Sequence, residues 1–408
     1  MSSFILWSQP TSVVLVAAPL ITVVTAFLIK GSRAVAVVTL MNFPYAMGAF
    51  LGAKNGITFF PRPALSVYES VAHEQTLTLF SAFGITMALG VAQCFQNALA
   101  AGWAWLTASR VGAVDVLRGR FGLVFSIALL VGLHDAVFLV LNLGAVVNSS
   151  RHSFRQEFWV GNGPLGIGLA LVVGLILIVL AIGAREYRGR SVFGMILFWT
   201  PSLIAGSRNY FSVLMLAALC AAFFAISNWK VKTSVAVVAI LGISGFTLLP
   251  GLWSDNDLVG FNEWILPTSS YLPLVGGMYT IESIGATPLL HQWALLLPSP
   301  LRPFQVELYA EVFAQARFTN VGVAGNPWAD SFDAELSSRV AVFTLTFGGV
   351  FLLAVGARKI HPLVPYLAFG LMAFWGRSVF WNTAVVIVYA ALLLRLLLPL
   401  RFNSGRAI

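Results

Sequence analysis

The sequence predicts an all-α polytopic membrane protein with about eleven transmembrane helices and one large extracytoplasmic loop. Hydrophobic residues make up 59% of the 408 residues and charged residues only 10%, whereas soluble domains have about 25% charged residues. Apolar runs of bilayer-spanning length recur along the chain, and in lipid such runs must be helices because every backbone group has to be hydrogen-bonded internally. Short basic segments separate these runs, as is typical of cytoplasmic loops.

Each predicted span follows one apolar run and ends where charged or turn-forming residues begin. The spans are 12–30, 34–53, 75–97, 121–147, 164–184, 192–206, 211–228, 233–252, 339–357, 362–377 and 379–400. The stretch 97–108, NALAAGWAWLTA, either extends the third span or forms an interfacial segment anchored by Trp103 and Trp105. The loop divides the chain into an N-terminal bundle of about eight helices, the loop and a C-terminal helical part, which are 1–252, 253–338 and 339–408.

Lys and Arg predict the orientation, because they collect in cytoplasmic loops. One set of connections is short and densely basic, with Lys30 and Arg33; Arg110, Arg118 and Arg120; Arg185, Arg188 and Arg190; Lys230 and Lys232; Arg358 and Lys359; and Arg401 and Arg406. Placing this set in the cytoplasm puts the N-terminus outside and the C-terminus inside. The same bias accounts for the net charge of +9, so nucleic acid is not an expected partner.

The 253–338 loop is apolar enough to interact with the membrane. LLHQWALLLPSPLRPF (289–304) and VELYAEVFAQARF (306–318) are predicted to be amphipathic or re-entrant helices. A Gly-rich stretch with a cluster of carboxylates follows at 319–335. The loop is therefore the part of the chain in which a folded subdomain is expected.

Arginines on the outer side run against the positive-inside bias. They are Arg62, Arg151, Arg155, Arg208, Arg302, Arg317, Arg339 and Arg377. Arg binds phosphate bidentately and remains charged, so an outer cavity lined by Arg indicates an anionic ligand such as a pyrophosphate. Ordinary loop pairing is favoured for the first three. Arg208 and Arg377 lie in short turns at the membrane rim, where a charge is costly and usually faces a cavity.

Acid–base candidates lie mainly in the same loop. Glu307 and Glu311 are four residues apart and would share one helix face, and a carboxylate there or His291 could act as a general base. A solvated carboxylate face or a plain interfacial histidine fits equally well. His134 and Asp135 lie mid-span and could relay protons, but neighbouring helical residues point about 100° apart, so they are not expected to form one site by themselves.

Sequence motifs for metal, nucleotide or acyl-transfer chemistry are missing. No His/Cys/Asp spacing fits zinc or iron, and there is no Walker A motif, dinucleotide fingerprint or Gly-x-Ser-x-Gly. We therefore expect no metal and no cofactor.

Three stretches resemble one family. PSLIAGSRNYFSVLMLAAL (201–219) has a Gly-Ser-Arg turn between apolar helices, ALLLPSPLRPF and YAEVFAQARF precede the Gly-rich GVAGNPWADSF, and GRSVFWNTAVVI (376–387) has an Arg turn before the last span. These patterns resemble bacterial O-antigen polymerases of the Wzy type, which are related to O-antigen ligases. That family often has twelve spans with both ends inside, one more than the eleven spans given above.

The resemblance implies a GT-C-like fold in the bacterial inner membrane, with a periplasmic active site that polymerises polyprenyl-diphosphate-linked oligosaccharide repeat units without a metal. The lipid-linked oligosaccharide and a chain-length regulator would be its partners. Diphosphate contacts would come from Arg208, Arg377, Arg302 and Arg317. Base or acceptor contacts would come from Glu307, Glu311, Asp330 or His291. Further substrate contacts would come from Asn209, Tyr210, Tyr309, Asn326 and Trp328, and Trp293 could also stack on a sugar.

Other functions fit parts of the pattern. An O-antigen ligase shares the architecture and differs in its acceptor. A polyprenyl-phosphate-sugar-dependent transferase typically has an acidic first outer loop, and 54–74 has Glu69 and Glu74 but no Asp, which is a poor match. A flippase or transporter would need a central polar pathway, for which His134 and Asp135 are the only hint, and internal repeats typical of transporters are missing.

Overall fold

The computed structural model describes the residues in 92–108, 112–144, 163–204, 213–215, 217, 233, 287, 289–297, 299–307, 348–373 and 380–398. Within these residues every regular element is helical and none is a strand, which confirms the predicted all-α class for this part of the chain. The α-helices are α1 Ala92–Ala108, α2 Gly112–Leu141, α3 Gly163–Gly183, α4 Arg188–Ile204, α5 Gly348–Ala357, α6 Val364–Ala373 and α7 Phe380–Leu397. The 3₁₀ helices are Arg185–Tyr187, Leu289–Leu296 and Ser299–Leu301.

Two of the described helices are long and apolar enough to cross a membrane. They are Leu117–Leu141 within α2 and Pro164–Ala181 within α3. Helices α5 and α6 and the Thr383–Leu397 part of α7 are apolar but shorter. The predicted spans 12–30 and 34–53 and most of 75–97, 211–228 and 233–252 lie outside the described residues, so the total number of spans stays a prediction.

Two helix boundaries differ from the apolar runs. Helix α2 begins at Gly112, nine residues before the predicted 121, because Arg118 and Arg120 are good helix formers whose long side chains can reach water. Helix α1 continues without a break to Ala108. The stretch 97–108 therefore extends the third predicted span.

The chain divides into two compact units, 1–97 with 240–353 and 371–385, and 98–239 with 354–370 and 386–408. In the second unit α2, α3 and α4 pack as a three-helix bundle. Gly194 of α4 lies against Phe125 of α2 and Leu177 of α3, and Gly174 of α3 lies against Trp199 of α4. Helix α4 thus runs antiparallel to α3. It runs parallel to α2, because Gly132 of α2 lies against Leu197 of α4, further along both helices than Phe125 and Gly194.

Helix α2 exposes its apolar side chains. Leu130 is 68% exposed, Val137 57% and Val140 71%, whereas residues 170–178 of α3 are all buried. A water-soluble protein rarely exposes a continuous apolar face of this length. An exposed apolar stripe on a helix long enough to span a membrane is the pattern of a lipid-facing surface.

The same unit contains contacts between α1 and both α6 and the turn before it. The buried hydroxyl of Tyr366 donates to the Leu99 carbonyl at 2.8 Å, and Gly102 faces the Pro362 carbonyl. In the first unit, Phe95 and Phe351 meet edge to face with ring centroids 5.4 Å apart.

Candidate functional site

The described part of the predicted outer loop folds back on itself. The N–H of Thr287 donates to the Glu307 carbonyl at 2.9 Å, and the N–H of Glu307 donates to the Thr287 hydroxyl at 2.9 Å. The side-chain amide of Gln292 donates to the Thr287 carbonyl at 3.0 Å. We call residues 287–307 the outer-loop segment, and these bonds fix its two ends together.

Glu307 is a half-buried carboxylate held at the end of this segment. Its Oε1 accepts a hydrogen bond from Gln305 Nε2 at 2.7 Å. The prediction of a helix from 306 is wrong for residues 306 and 307, which are not helical. The backbone of Glu307 is instead paired with Thr287, so the predicted helix face shared with Glu311 has no basis at Glu307, and Glu311 lies outside the described residues.

Three rings cluster on the outer-loop segment. Phe304 meets His291 edge to face at 6.4 Å and Trp293 edge to face at 6.2 Å. His291 is exposed, and Trp293 and Phe304 are 41% and 39% exposed. Such exposed rings beside polar groups are suited to stacking on a sugar or to sitting at a membrane interface.

Arg302 lies two residues before Phe304 and is half-buried. Its Nε donates to the Leu297 carbonyl at 3.2 Å, which uses one of the five N–H donors of a guanidinium. The predicted amphipathic helix of 289–304 is realised as two 3₁₀ helices, Leu289–Leu296 and Ser299–Leu301. The prolines at 298, 300 and 303 explain why no longer helix forms, since proline lacks the N–H that a continuous helix needs.

Gln292 was not predicted as a site residue. It is only 1% exposed, and its buried Oε1 has no hydrogen-bond partner among the residues that the structure describes. The sequence signal is weak, because one amide in the apolar stretch LLHQWALL is also compatible with an interfacial helix. An unsatisfied buried acceptor is costly and calls for an explanation.

The outer-loop segment brings three predicted site residues, His291, Arg302 and Glu307, into one folded piece. The other predicted site residues lie outside the described residues: Arg208, Asn209, Tyr210, Tyr309, Glu311, Arg317, Asn326, Trp328, Asp330 and Arg377. Their roles stay predictions.

His134 and Asp135 form a pair, which corrects the expectation that two adjacent helical residues would not form one site. His134 Nδ1 lies 3.0 Å from Asp135 Oδ1. Asp135 is fully buried, whereas the His134 side chain is 49% exposed. The two side chains meet although their Cα–Cβ bonds diverge, because both side chains can rotate about χ1 and χ2 towards each other. The pair therefore extends from the interior of the bundle, where Asp135 is buried, to the exposed face of α2, where His134 lies.

His361 is a buried histidine that the sequence does not single out. Its Nδ1 accepts the N–H of Leu363 at 3.2 Å, and its ring meets Trp105 edge to face at 5.2 Å. Its buried Nε2 has no hydrogen-bond partner within the described part of the chain. Burial, followed by the charge of Arg395, lowers the pKa of His361 to about 4. No sequence signal marks the residue, since its burial comes from α1, more than 250 residues away in the chain.

Within the described ranges no group of three or more His, Cys, Asp or Glu side chains could hold a metal ion. Comparison of the whole chain with known proteins finds no matching family model, curated protein or solved structure. The Wzy-type resemblance therefore rests on the three sequence stretches quoted above.

Proposed function

We propose that this chain is an integral membrane glycosyltransferase that polymerises polyprenyl-diphosphate-linked oligosaccharide repeat units at the periplasmic face of the bacterial inner membrane. The observation that carries the proposal is the outer-loop segment, where a basic group, a carboxylate, a histidine and exposed aromatic rings occur in one folded piece. The exposed apolar stripe of α2 supports the assignment as an integral membrane protein. The distribution of Lys and Arg supports the periplasmic location.

In the proposed reaction, a hydroxyl oxygen of the acceptor unit forms a bond to the anomeric carbon of the donor glycan. The bond between that carbon and the diphosphate oxygen breaks, and the polyprenyl diphosphate leaves with the bonding electrons. Arg302, together with Arg208, Arg317 and Arg377, would stabilise the charge that develops on the diphosphate. This arrangement needs no metal motif, in line with the sequence.

A base must remove the proton of the attacking hydroxyl. Glu307 and His291 are the candidates in the outer-loop segment, with Glu311 and Asp330 the candidates beyond it. Gln305 holds the Glu307 carboxylate at 2.7 Å, so its orientation is set before substrate binds. Trp293 and Phe304 would stack on sugar rings.

Arg302→Gln tests the proposal in proteoliposomes supplied with lipid-linked repeat units. We expect loss of long-chain product, as also for Arg208→Ala and Arg377→Ala, while the amount of folded protein in the membrane stays normal. Arg358→Gln, an exposed arginine in a predicted cytoplasmic turn, is the matched control and should give normal chains. Normal chain lengths from all three outer variants would contradict the proposal.

The same assay separates the ligase alternative. Product formed only when lipid A core replaces the second lipid-linked unit would identify a ligase.

A flippase is a second candidate, because the His134–Asp135 pair places a buried carboxylate within a membrane-length helix. Buried ionisable groups in such helices often belong to transport pathways. Transfer of lipid-linked oligosaccharide across the bilayer without polymerisation, lost in Asp135→Asn, would favour this function.

A further inference from the structure

The end of the bundle at which α2 and α4 begin is strongly basic. Its arginines, all exposed, are Arg118, Arg120, Arg185, Arg188 and Arg190. The acidic residues of 112–120 and 185–190 are Asp115 and Glu186, which leaves a surplus of three positive charges. This surface faces the side that the positive-inside bias assigns to the cytoplasm.

Specific contacts hold this end together. Arg118 pairs with Glu186 at 2.8 Å, and Phe121 lies 4.5 Å from Tyr187 between ring centroids. Arg188 Nε donates to the Ala181 carbonyl at 3.0 Å, at the end of α3. The 3₁₀ turn is therefore fixed against α2 and α3, and Arg120, Arg185 and Arg190 at this end of the bundle are exposed.

Exposed apolar residues follow these arginines along both helices. On α4, Val192, Phe193 and Ile196 are 40%, 56% and 58% exposed, and on α2, Leu123 is 45% exposed. A Cβ added at Gly119, Gly122 or Gly189 would meet no atom within 4 Å, so the surface beside the arginines is open. A cationic rim that continues into an apolar helix face matches an amphiphile with an anionic head and long acyl chains.

We infer that this basic end binds an anionic phospholipid of the adjoining leaflet. The exposed arginines of this end, Arg120, Arg185 and Arg190, attract the phosphate, and the acyl chains run along the exposed faces of α2 and α4. Arg provides the charge-assisted hydrogen bonds that a phosphate accepts. A soluble anion would use the arginines but leave the apolar faces without a role. The inference does not depend on the proposed polymerase activity.

The site is tested by titrating the full-length protein in detergent with phosphatidylglycerol and, separately, with phosphatidylcholine. Native mass spectrometry counts the bound lipid at each step. The double variant Arg120→Gln/Arg190→Gln is expected to bind phosphatidylglycerol about thirtyfold more weakly than the unmodified protein, because each basic residue near a headgroup contributes about 1 kcal/mol. Binding of phosphatidylcholine should not change. The control Arg358→Gln/Lys359→Gln removes two exposed basic residues elsewhere in the same unit and should keep the affinity for phosphatidylglycerol.

The inference is overturned if the unmodified protein binds the two lipids equally. It is also overturned if the double variant binds phosphatidylglycerol as tightly as the unmodified protein does. Glycerol phosphate without acyl chains is the third ligand. If it binds as tightly as phosphatidylglycerol, the site is one for soluble anions and the lipid assignment is wrong. The thermal midpoint of the double variant without added lipid should match that of the unmodified protein, because both substituted residues are exposed.

Discussion

His361 shows what burial does to a single ionisable residue. In the unfolded chain it takes up a proton near its ordinary pKa of 6.5, whereas in the folded protein burial and the charge of Arg395 delay protonation to about pH 4. Between these values the unfolded state binds more protons than the folded state. The contribution of His361 to the free energy of unfolding is therefore complete above pH 6.5. This contribution falls by about 3 kcal/mol in total as the pH drops towards 4.

His361→Gln should remove this contribution to acid sensitivity. We expect the unmodified protein in detergent to lose more unfolding free energy between about pH 7.5 and about pH 4.5 than the variant does, because the variant has no group to protonate at this position. Thermal or denaturant unfolding at both pH values measures the difference. His291→Gln changes an exposed histidine and should behave like the unmodified protein. Equal losses for the unmodified protein and His361→Gln would contradict this account.

The surroundings of Asp135 could be predicted from the sequence only in part. Its position in a membrane-length helix could be predicted, and so could the cost of placing a charge there. Its full burial and its contact with His134 could not, because they depend on side-chain rotation and on the packing of the bundle around α2. The contact between the two side chains therefore makes the pair a stronger candidate for a functional site than their adjacent positions on the helix do.

At the scale of helices, close backbone contact between α2 and α4 is set by glycine. A Cβ added at Gly132 would lie 2.8 Å from the Leu197 carbonyl oxygen and 2.9 Å from its carbonyl carbon. These are backbone atoms, so no side-chain rotation can relieve the clash and the helices must move apart. Close approach through small residues is a common way for membrane helices to associate.

Gly132→Ala and Gly119→Ala form a matched pair on the same helix. We expect Gly132→Ala to lower the free energy of unfolding by about 1–3 kcal/mol, the usual cost of overpacking. Gly119→Ala meets nothing within 4 Å and should be neutral or stabilising by up to about 1 kcal/mol, because alanine favours a helix. Denaturant titration in mixed micelles measures both. Similar destabilisation of the two variants would show that the contact with Leu197 is not the cause.

Helices were easier to predict than their ends. The long apolar runs at 164–184 and 379–400 correspond closely to α3 and α7, because apolarity over twenty residues leaves few alternatives. Amphipathic or charged turns were harder to assign. Helix α2 starts before its apolar run, and residues 306 and 307 pair with Thr287 instead of starting a helix. Such choices depend on tertiary partners, which local sequence does not specify.

At the scale of the molecule, the candidate site could be predicted only as a region. The sequence predicts the site in the loop that contains His291, Arg302 and Glu307, because arginines in a predicted outer loop run against the positive-inside bias. It did not identify Gln292 or the ring cluster around Phe304, since both depend on how the segment folds back on Thr287. The charge distribution is a property of the whole chain, and from it the side of the membrane can be predicted.

The two ends of α2 and α4 offer a direct test of this orientation. Gly144, just after α2, and Gly189, at the start of α4, are exposed, and an added Cβ at either would meet no atom within 4 Å. Variants with cysteine at either position should therefore fold normally.

The labelling experiment uses a background with Cys94→Ser and Cys220→Ser. We expect an impermeant maleimide to label Gly144→Cys on cells whose outer membrane has been removed and whose inner membrane is intact. Gly189→Cys should react only after permeabilisation, because it lies among Arg185, Arg188 and Arg190 on the predicted cytoplasmic side. The opposite pattern would place the basic end outside, and the outer-loop segment could then no longer be assigned to the periplasm from the charge distribution.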